Sequence, residues 1–210
     1  NRGEKDNWVF ISALDENSPY IVPGEEQSFT AMGKKSYSNI FRYKRSLNEG
    51  SFLGLVATNR KMIDNNGSGS IIGFDTFYRF NDTYQVEFQS VFSHTQEPND
   101  SLLVNSKTFG ENYSYTFDGE SFSGNALEIE FQRNTEHWRL EAGYDHRSPT
   151  FRAENGFVTS VSQRRIYSRS LWSYFPNNFF SEIVGGFHAG IEPNYDGVTK
   201  AKYFVVFGNL

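Results

Sequence analysis

The chain is expected to be all-β: an antiparallel, up-and-down transmembrane β-barrel of about ten strands, with residues 1–210 forming a single domain. Three observations predict it. Apolar residues recur at offsets of two rather than three or four, the spacing of a strand and not of a helix. Aromatics make up 17% of a chain that is only 37% hydrophobic, with 21 Phe and 12 Tyr, a composition suited to a pleated surface. Short and long connections alternate along the whole chain.

Taken in order, the strands are expected at 7–14, 37–47, 51–60, 70–80, 83–95, 123–133, 136–146, 164–175, 179–190 and 200–210. The first, Trp8 to Leu14, is apolar on both faces. In 70–80, Ile72, Phe74, Thr76, Tyr78 and Phe80 form one face, while Gly73, Asp75 and Arg79 share the other with Phe77. In 83–95, Tyr84, Val86, Phe88 and Phe92 oppose Gln85, Glu87, Gln89 and Ser93. Leu127, Ile129 and Phe131 oppose Glu128, Glu130 and Gln132. Trp138, Leu140, Ala142 and Tyr144 oppose Arg139, Glu141, Gly143 and Asp145. Ile183, Phe187 and Ile191 alternate with Glu182 and His188, and the last strand carries the apolar run Tyr203 to Phe207.

Asn48-Glu49-Gly50, Asn81-Asp82, Asn134-Thr135 and Pro176-Asn177-Asn178 are built from turn-forming residues and predict tight turns. Polar stretches at 15–36, 61–69, 96–122, 147–163 and 191–199 predict long connections. Greek-key sandwiches mix their connection lengths irregularly. Outer-membrane barrels place short turns on one rim and long loops on the other. A strand of about 11 residues tilted by roughly 40° covers an apolar band of about 25 Å.

The faces point the same way. Phe74, Tyr78, Val86, Phe88, Ile129, Phe131, Leu140 and Ile183 are expected to face lipid. Asp75, Arg79, Glu87, Glu128, Glu130, Arg139 and Glu141 are the candidate site residues, expected to face a polar lumen. A cation on a lipid face near the midplane costs about 2–4 kcal/mol, so a bilayer selects a clean apolar face. Trp8, Tyr78, Tyr84, Trp138, Trp172, Tyr174 and Tyr203 near strand ends suit an interfacial aromatic girdle.

Composition excludes several classes. A net charge of −5 argues against a nucleic-acid partner. The absence of cysteine removes disulfides, thiolate metal sites and cysteine nucleophiles. No apolar run approaches the roughly 18 residues of a membrane-spanning helix. The chain opens on the polar run Asn1 to Asp6, as a mature, trimmed or internal piece would.

Candidate chemistry is sparse. His146 beside Asp145 and Arg147 could form an acid–base cluster, but a strand end entering a loop accounts for it. His188 reads as a lumen residue. No Gly-x-Ser-x-Gly elbow is present. Glu128, Glu130, Glu141 and Asp145 could offer a carboxylate pair for glycoside hydrolysis, yet repeated charge along one strand face describes a wet lumen. Gly67-Ser68-Gly69-Ser70 has no following helix to make a phosphate loop. Asp64, Asn66, Ser68, Gly69 and Asp75 partly match a calcium loop, but the terminal Glu and both flanking helices are missing. No catalytic, cofactor or metal residue is therefore assigned, and no cofactor is expected.

The run Tyr37 to Thr58, followed by Asn59 and Arg60, resembles a hairpin of a large family of bacterial outer-membrane proteins frequent in Bacteroidetes. Ile72-Gly73-Phe74-Asp75, and Asn155-Gly156-Phe157 with Arg164-Arg165, are similar to further stretches of it. In that family a domain like family-9 carbohydrate-binding modules precedes a long barrel. The resemblance covers roughly residues 30–180 and implies a barrel fold, an outer-membrane location and no particular chemistry. The carbohydrate-binding-like domain has no counterpart here, and Val205 to Leu210 lack a closing terminal aromatic, so a segment of a longer barrel is expected, with residues 200–210 pairing outside it rather than with 7–14.

The function expected is that of a non-catalytic outer-membrane barrel with a polar lumen, structural or transport-related. Its partners would be outer-membrane lipid and, further, other outer-membrane proteins or glycans. A glycan-binding surface barrel is the alternative, for which Tyr113, Tyr115, Phe117 and Tyr195 in the loops are suited. An outer-membrane hydrolase is a second alternative that no motif supports.

Overall fold

A computed structural model describes residues 5–48, 50–110, 112–176 and 181–209. Its strands are β1 (Asp6–Asp15), β2 (Pro19–Val22), β3 (Phe29–Met32), β4 (Ser36–Ser46), β5 (Phe52–Met62), β6 (Ser68–Arg79) and β7 (Tyr84–Gln96), followed by β8 (Thr108–Phe109), β9 (Tyr113–Ser114), β10 (Ser121–Asn134), β11 (Trp138–Arg147), β12 (Gln163–Tyr174), β13 (Ile183–Pro193) and β14 (Thr199–Asn209). No helix occurs among the described residues. Ten of the strands form one sheet in the order β1-β4-β5-β6-β7-β10-β11-β12-β13-β14, and every neighbouring pair is antiparallel.

Tight turns close one end of the sheet. Leu47 N donates to Ser51 O at 2.8 Å, and Gly50 takes the left-handed φ of 80° that this turn requires. Asn81 Oδ1 accepts from the amides of Thr83 and Tyr84 at 2.8 and 3.0 Å. The Thr135 hydroxyl accepts from Trp138 N at 3.1 Å. Of the fourth expected turn, Asn177 and Asn178 lie outside the described residues, as do Glu49 of the first turn and the start of the strand expected at 179–190.

At the other end the connections depart from expectation. Two of the five are short: residues 63–67 and 194–198. The second is a turn in which Asn194 Oδ1 accepts from Val198 N at 2.7 Å and Gly197 adopts φ 82°. The strands extend into these polar stretches because ladder pairing satisfies backbone groups whatever the side chains. Two other connections are not structureless. Residues 15–36 hold the β2–β3 hairpin, and 96–122 hold β8–β9. These elements are too short for a period-two signal, and packing creates them.

β1 and β14 each pair on one side only, so the sheet is open among the described residues. It is nevertheless curled. Tyr20 of the first connection sits over Arg60 of β5, while Glu25, five positions on, ion-pairs with Lys200 of β14 at 2.6 Å. On a flat sheet β5 and β14 would lie about 34 Å apart at about 4.8 Å per strand. Five extended residues reach about 17 Å. The sheet must curl around the face on which these loops lie.

Candidate functional site: the charged face and its loop cover

Residues directly opposite one another in a ladder project to the same side. One line of partners runs Lys44, Gly54, Asp75, Gln89, Glu128, Asp145 and Arg165. The next runs Phe77, Glu87, Glu130, Gly143, Tyr167, Gly190 and Tyr203. A third runs Arg79, Gln85, Gln132, Glu141, Arg169, His188 and Val205. Asn134 and Arg139 continue the same face. All seven candidate residues, Asp75, Arg79, Glu87, Glu128, Glu130, Arg139 and Glu141, therefore share one side of the sheet. Phe74, Tyr78, Val86, Phe88, Ile129, Phe131, Leu140 and Ile183 share the other.

Some of the charges are answered locally. Arg42 grips Asp75 with both guanidinium ends, Nη2 to Oδ2 at 2.6 Å, and its Nη1 meets Oδ1. Asp145 Oδ2 accepts from Arg165 Nε at 2.6 Å. Glu130 accepts from the Tyr167 hydroxyl and the Gln132 amide. The Tyr167 ring lies over Gly143, where a Cβ would come within 2.5 Å of it. Glu141, Arg169, His188 and Tyr203 line a hollow of about 400 Å³ on the same face. The Arg79 guanidinium lies over the Phe77 ring at 6.0 Å.

Arg42, Arg165, Tyr167 and Arg169 also belong to this surface. Arg165-x-Tyr167-x-Arg169 carries the same offset-two signal as the assigned strands and could have been read from the sequence. His146 and Asp145, neighbours along β11, project to opposite faces, and His146 Nε2 instead meets Asn125 Oδ1 at 2.8 Å. Asp75 is held mid-strand by Arg42, and Ser68 and Gly69 lie within β6, so the stretch 64–75 forms no calcium loop.

The long connections fold back onto the charged face at one end. Tyr20, Val22, Ala31, Met62, Phe109, Tyr115, Phe117 and Phe122 make a compact apolar core there, with Tyr20 edge-on to Phe117 at 5.3 Å. Fully burying one such side chain contributes about 1.5–3 kcal/mol. Phe117, expected to display itself for glycans, is buried in this core (2% exposed), and Tyr115 nearly so. These apolar loop residues bury one another instead.

Two buried arginines tie the cover to the sheet, and sequence reasoning could not have found either. Arg60 of β5 donates to Ser36 Oγ at 3.2 Å and to the carbonyls of Ser18, Pro19 and Glu154. Arg152 meets Glu97 at 2.5 Å and stacks over Phe122 and Phe109 at 4.6 and 5.2 Å. Gly124 of β10 lets the cover approach: a Cβ there would lie 2.5 Å from the Phe151 backbone. Asn194 donates to Glu25 at 2.9 Å, joining the cover to the last hairpin.

Burial, then the nearby Glu154 carboxylate, pushes the Tyr20 hydroxyl up to about 12. Burial pushes Glu97 up to about 7, against the opposing pull of Arg152. Glu154 is raised by burial as well. At Glu25 burial acts upward, but hydrogen bonds from Lys200 and Asn194 outweigh it and hold the carboxyl below its usual range.

A second cavity, of about 660 Å³, is lined by Glu25, Phe109, Tyr113, Tyr115, Tyr195 and Asp196 among others. The chain matches no protein-family model and no curated protein.

Proposed function

We propose that the chain forms part of the wall of a bacterial outer-membrane β-barrel whose charged face lines a polar lumen partly closed by the folded loops. Its role would be structural or transport-related rather than catalytic. The observation that carries this reading is the segregation of the two faces. The charged face is the one the loops cover, while the opposite face exposes Phe10, Ile72, Phe74, Tyr78, Phe92, Ile129, Ile166, Phe204 and Val206 along the sheet. A soluble protein buries its apolar face and wets its charged one; this arrangement is the reverse, and a bilayer is the solvent that favours it. Charges of both signs on this face, two pairs of them bonded directly, give it affinity for water without a strong net field.

In this reading the edges of β1 and β14, open among the described residues, cannot rest in lipid. Both edge strands expose large apolar side chains, Trp8 to Ile11 and Phe204 to Val206. Each edge therefore pairs with a further strand, and the ten strands form an arc of a larger ring.

The chain has no cysteine, so single cysteines can be placed at will. Spin labels at Phe74 and Ile129 should be accessible to oxygen dissolved in lipid. Labels at Glu87 and Glu130 should be accessible to a water-soluble nickel complex. Equal nickel access at all four positions in lipid vesicles would overturn the proposal.

The cavity beside Tyr113, Tyr195, Glu25 and Asp196 supports glycan binding at the outer rim as a second reading, because aromatic rings with nearby carboxylates suit sugar rings and their hydroxyls. A glycan array probed with the protein and with a Tyr113→Ala, Tyr195→Ala variant tests it. Binding unchanged in the variant would refute it.

A further inference from the structure

Where β7 ends and the connection to β10 begins, three carboxylates converge. Oxygens of Glu97, Asp118 and Glu120 all lie within 4.8 Å of one another. Glu97 N donates to Glu120 O at 2.8 Å, one step past the last rung of the ladder. Two glutamates thus stand opposite each other across neighbouring chain segments, an arrangement that destabilises unless a cation intervenes. Glu97 is buried, with 1% exposure. Its Oε1 meets Arg152, while its Oε2 is buried without a hydrogen-bond partner. One guanidinium against three carboxylates leaves two negative charges unanswered, the charge of one divalent cation.

We propose that Glu97, Asp118 and Glu120 bind a calcium ion that pins the connection between β7 and β10 to the end of the sheet. Oxygens this close to one another can share one calcium ion at Ca–O distances of about 2.4 Å. Magnesium demands a stricter octahedron and gives up its waters reluctantly. Three carboxylates with water completing six to eight ligands suit the larger, more tolerant ion. Ser114 holds two of the three in place: its amide donates to Glu120 Oε2 at 2.8 Å and its hydroxyl to Asp118 Oδ2 at 3.2 Å. The site stands on loop geometry and is independent of the membrane reading.

The test is titration calorimetry of the chelator-treated full chain with calcium chloride, repeated with magnesium chloride. One calcium site is expected, with a Kd of about 10⁻⁴ to 10⁻³ M, as in extracellular modules. Calcium should also slow protease cleavage within residues 97–120. Asp118→Asn with Glu120→Gln alters an exposed and a half-buried side chain, so the fold should survive, and calcium affinity should fall at least tenfold. Asp118→Asn alone, at the exposed position, should weaken binding measurably if the double variant misfolds. Absence of calcium binding in the unaltered chain, undiminished affinity in Asp118→Asn, or magnesium bound as tightly as calcium would overturn the proposal.

Discussion

Replacing Arg152 by Met, in calcium-free buffer at pH 9, where Glu97 is ionised in the wild type, tests whether a buried ion pair holds the loop cover closed. Arg152 is 4% exposed, and the Glu97 side chain it meets is fully buried. Removing one member of such a pair leaves an uncompensated buried charge, a loss of about 3–5 kcal/mol. Losing the stacking on Phe122 and Phe109 adds about 0.5–2 kcal/mol. The ten-stranded ladder does not depend on this contact, so the destabilisation should be local, opening residues 97–120 and 147–163 while the sheet persists. A loss of about 4 kcal/mol raises the open population by roughly a thousandfold. Limited proteolysis under conditions where cleavage follows that population should accelerate by about two to three orders of magnitude. The effect should shrink at pH 5, where Glu97, raised to about 7 even beside Arg152, is protonated with or without its partner. Adding Glu97→Gln should restore most of the protection, since the penalty lies in the orphaned charge. Wild-type cleavage rates in Arg152→Met, or no recovery in the double variant, would refute this reasoning.

Three further outcomes are expected. Ile129→Arg should lower folding stability in lipid vesicles by about 2–4 kcal/mol by urea titration if that face meets acyl chains, whereas on a water-exposed face the change would stay within about 0.5 kcal/mol. Gly124→Val places a Cβ against the Phe151 backbone and should cost about 1–3 kcal/mol locally, seen as faster hydrogen exchange around Phe151 with the β10 ladder unchanged. Tyr20 titrates high, at about 12, so the fold favours its neutral form. Its contribution is fully present below pH 10 and is lost as pH rises from the unfolded value of about 10 through 12. Tyrosinate absorbance should show a late step that Tyr20→Phe removes; an unchanged titration curve in that variant would contradict the buried setting.

The period-two pattern made the faces legible before any coordinates. A strand allows its side chains only two directions, so Asp75, Glu87, Glu128 and Glu141 had to share a side once their segments paired in register. Strand order was legible too, because tight turns such as Asn81-Asp82 force sequential neighbours to pair. The short hairpins, the curl and the loop cover were not. They rest on contacts between residues far apart in the chain, such as Arg60 with the Glu154 carbonyl and Asn194 with Glu25, and no local pattern encodes which loop will meet which. Arg152 and Glu97 looked like ordinary loop charges because burial is a property of what folds over a residue, not of its neighbours in sequence. The sequence alone therefore determined the two faces of the sheet. Tertiary structure decided which face was covered, because that choice depends on apolar loop residues such as Tyr20 and Phe117 finding one another across more than 90 positions of chain.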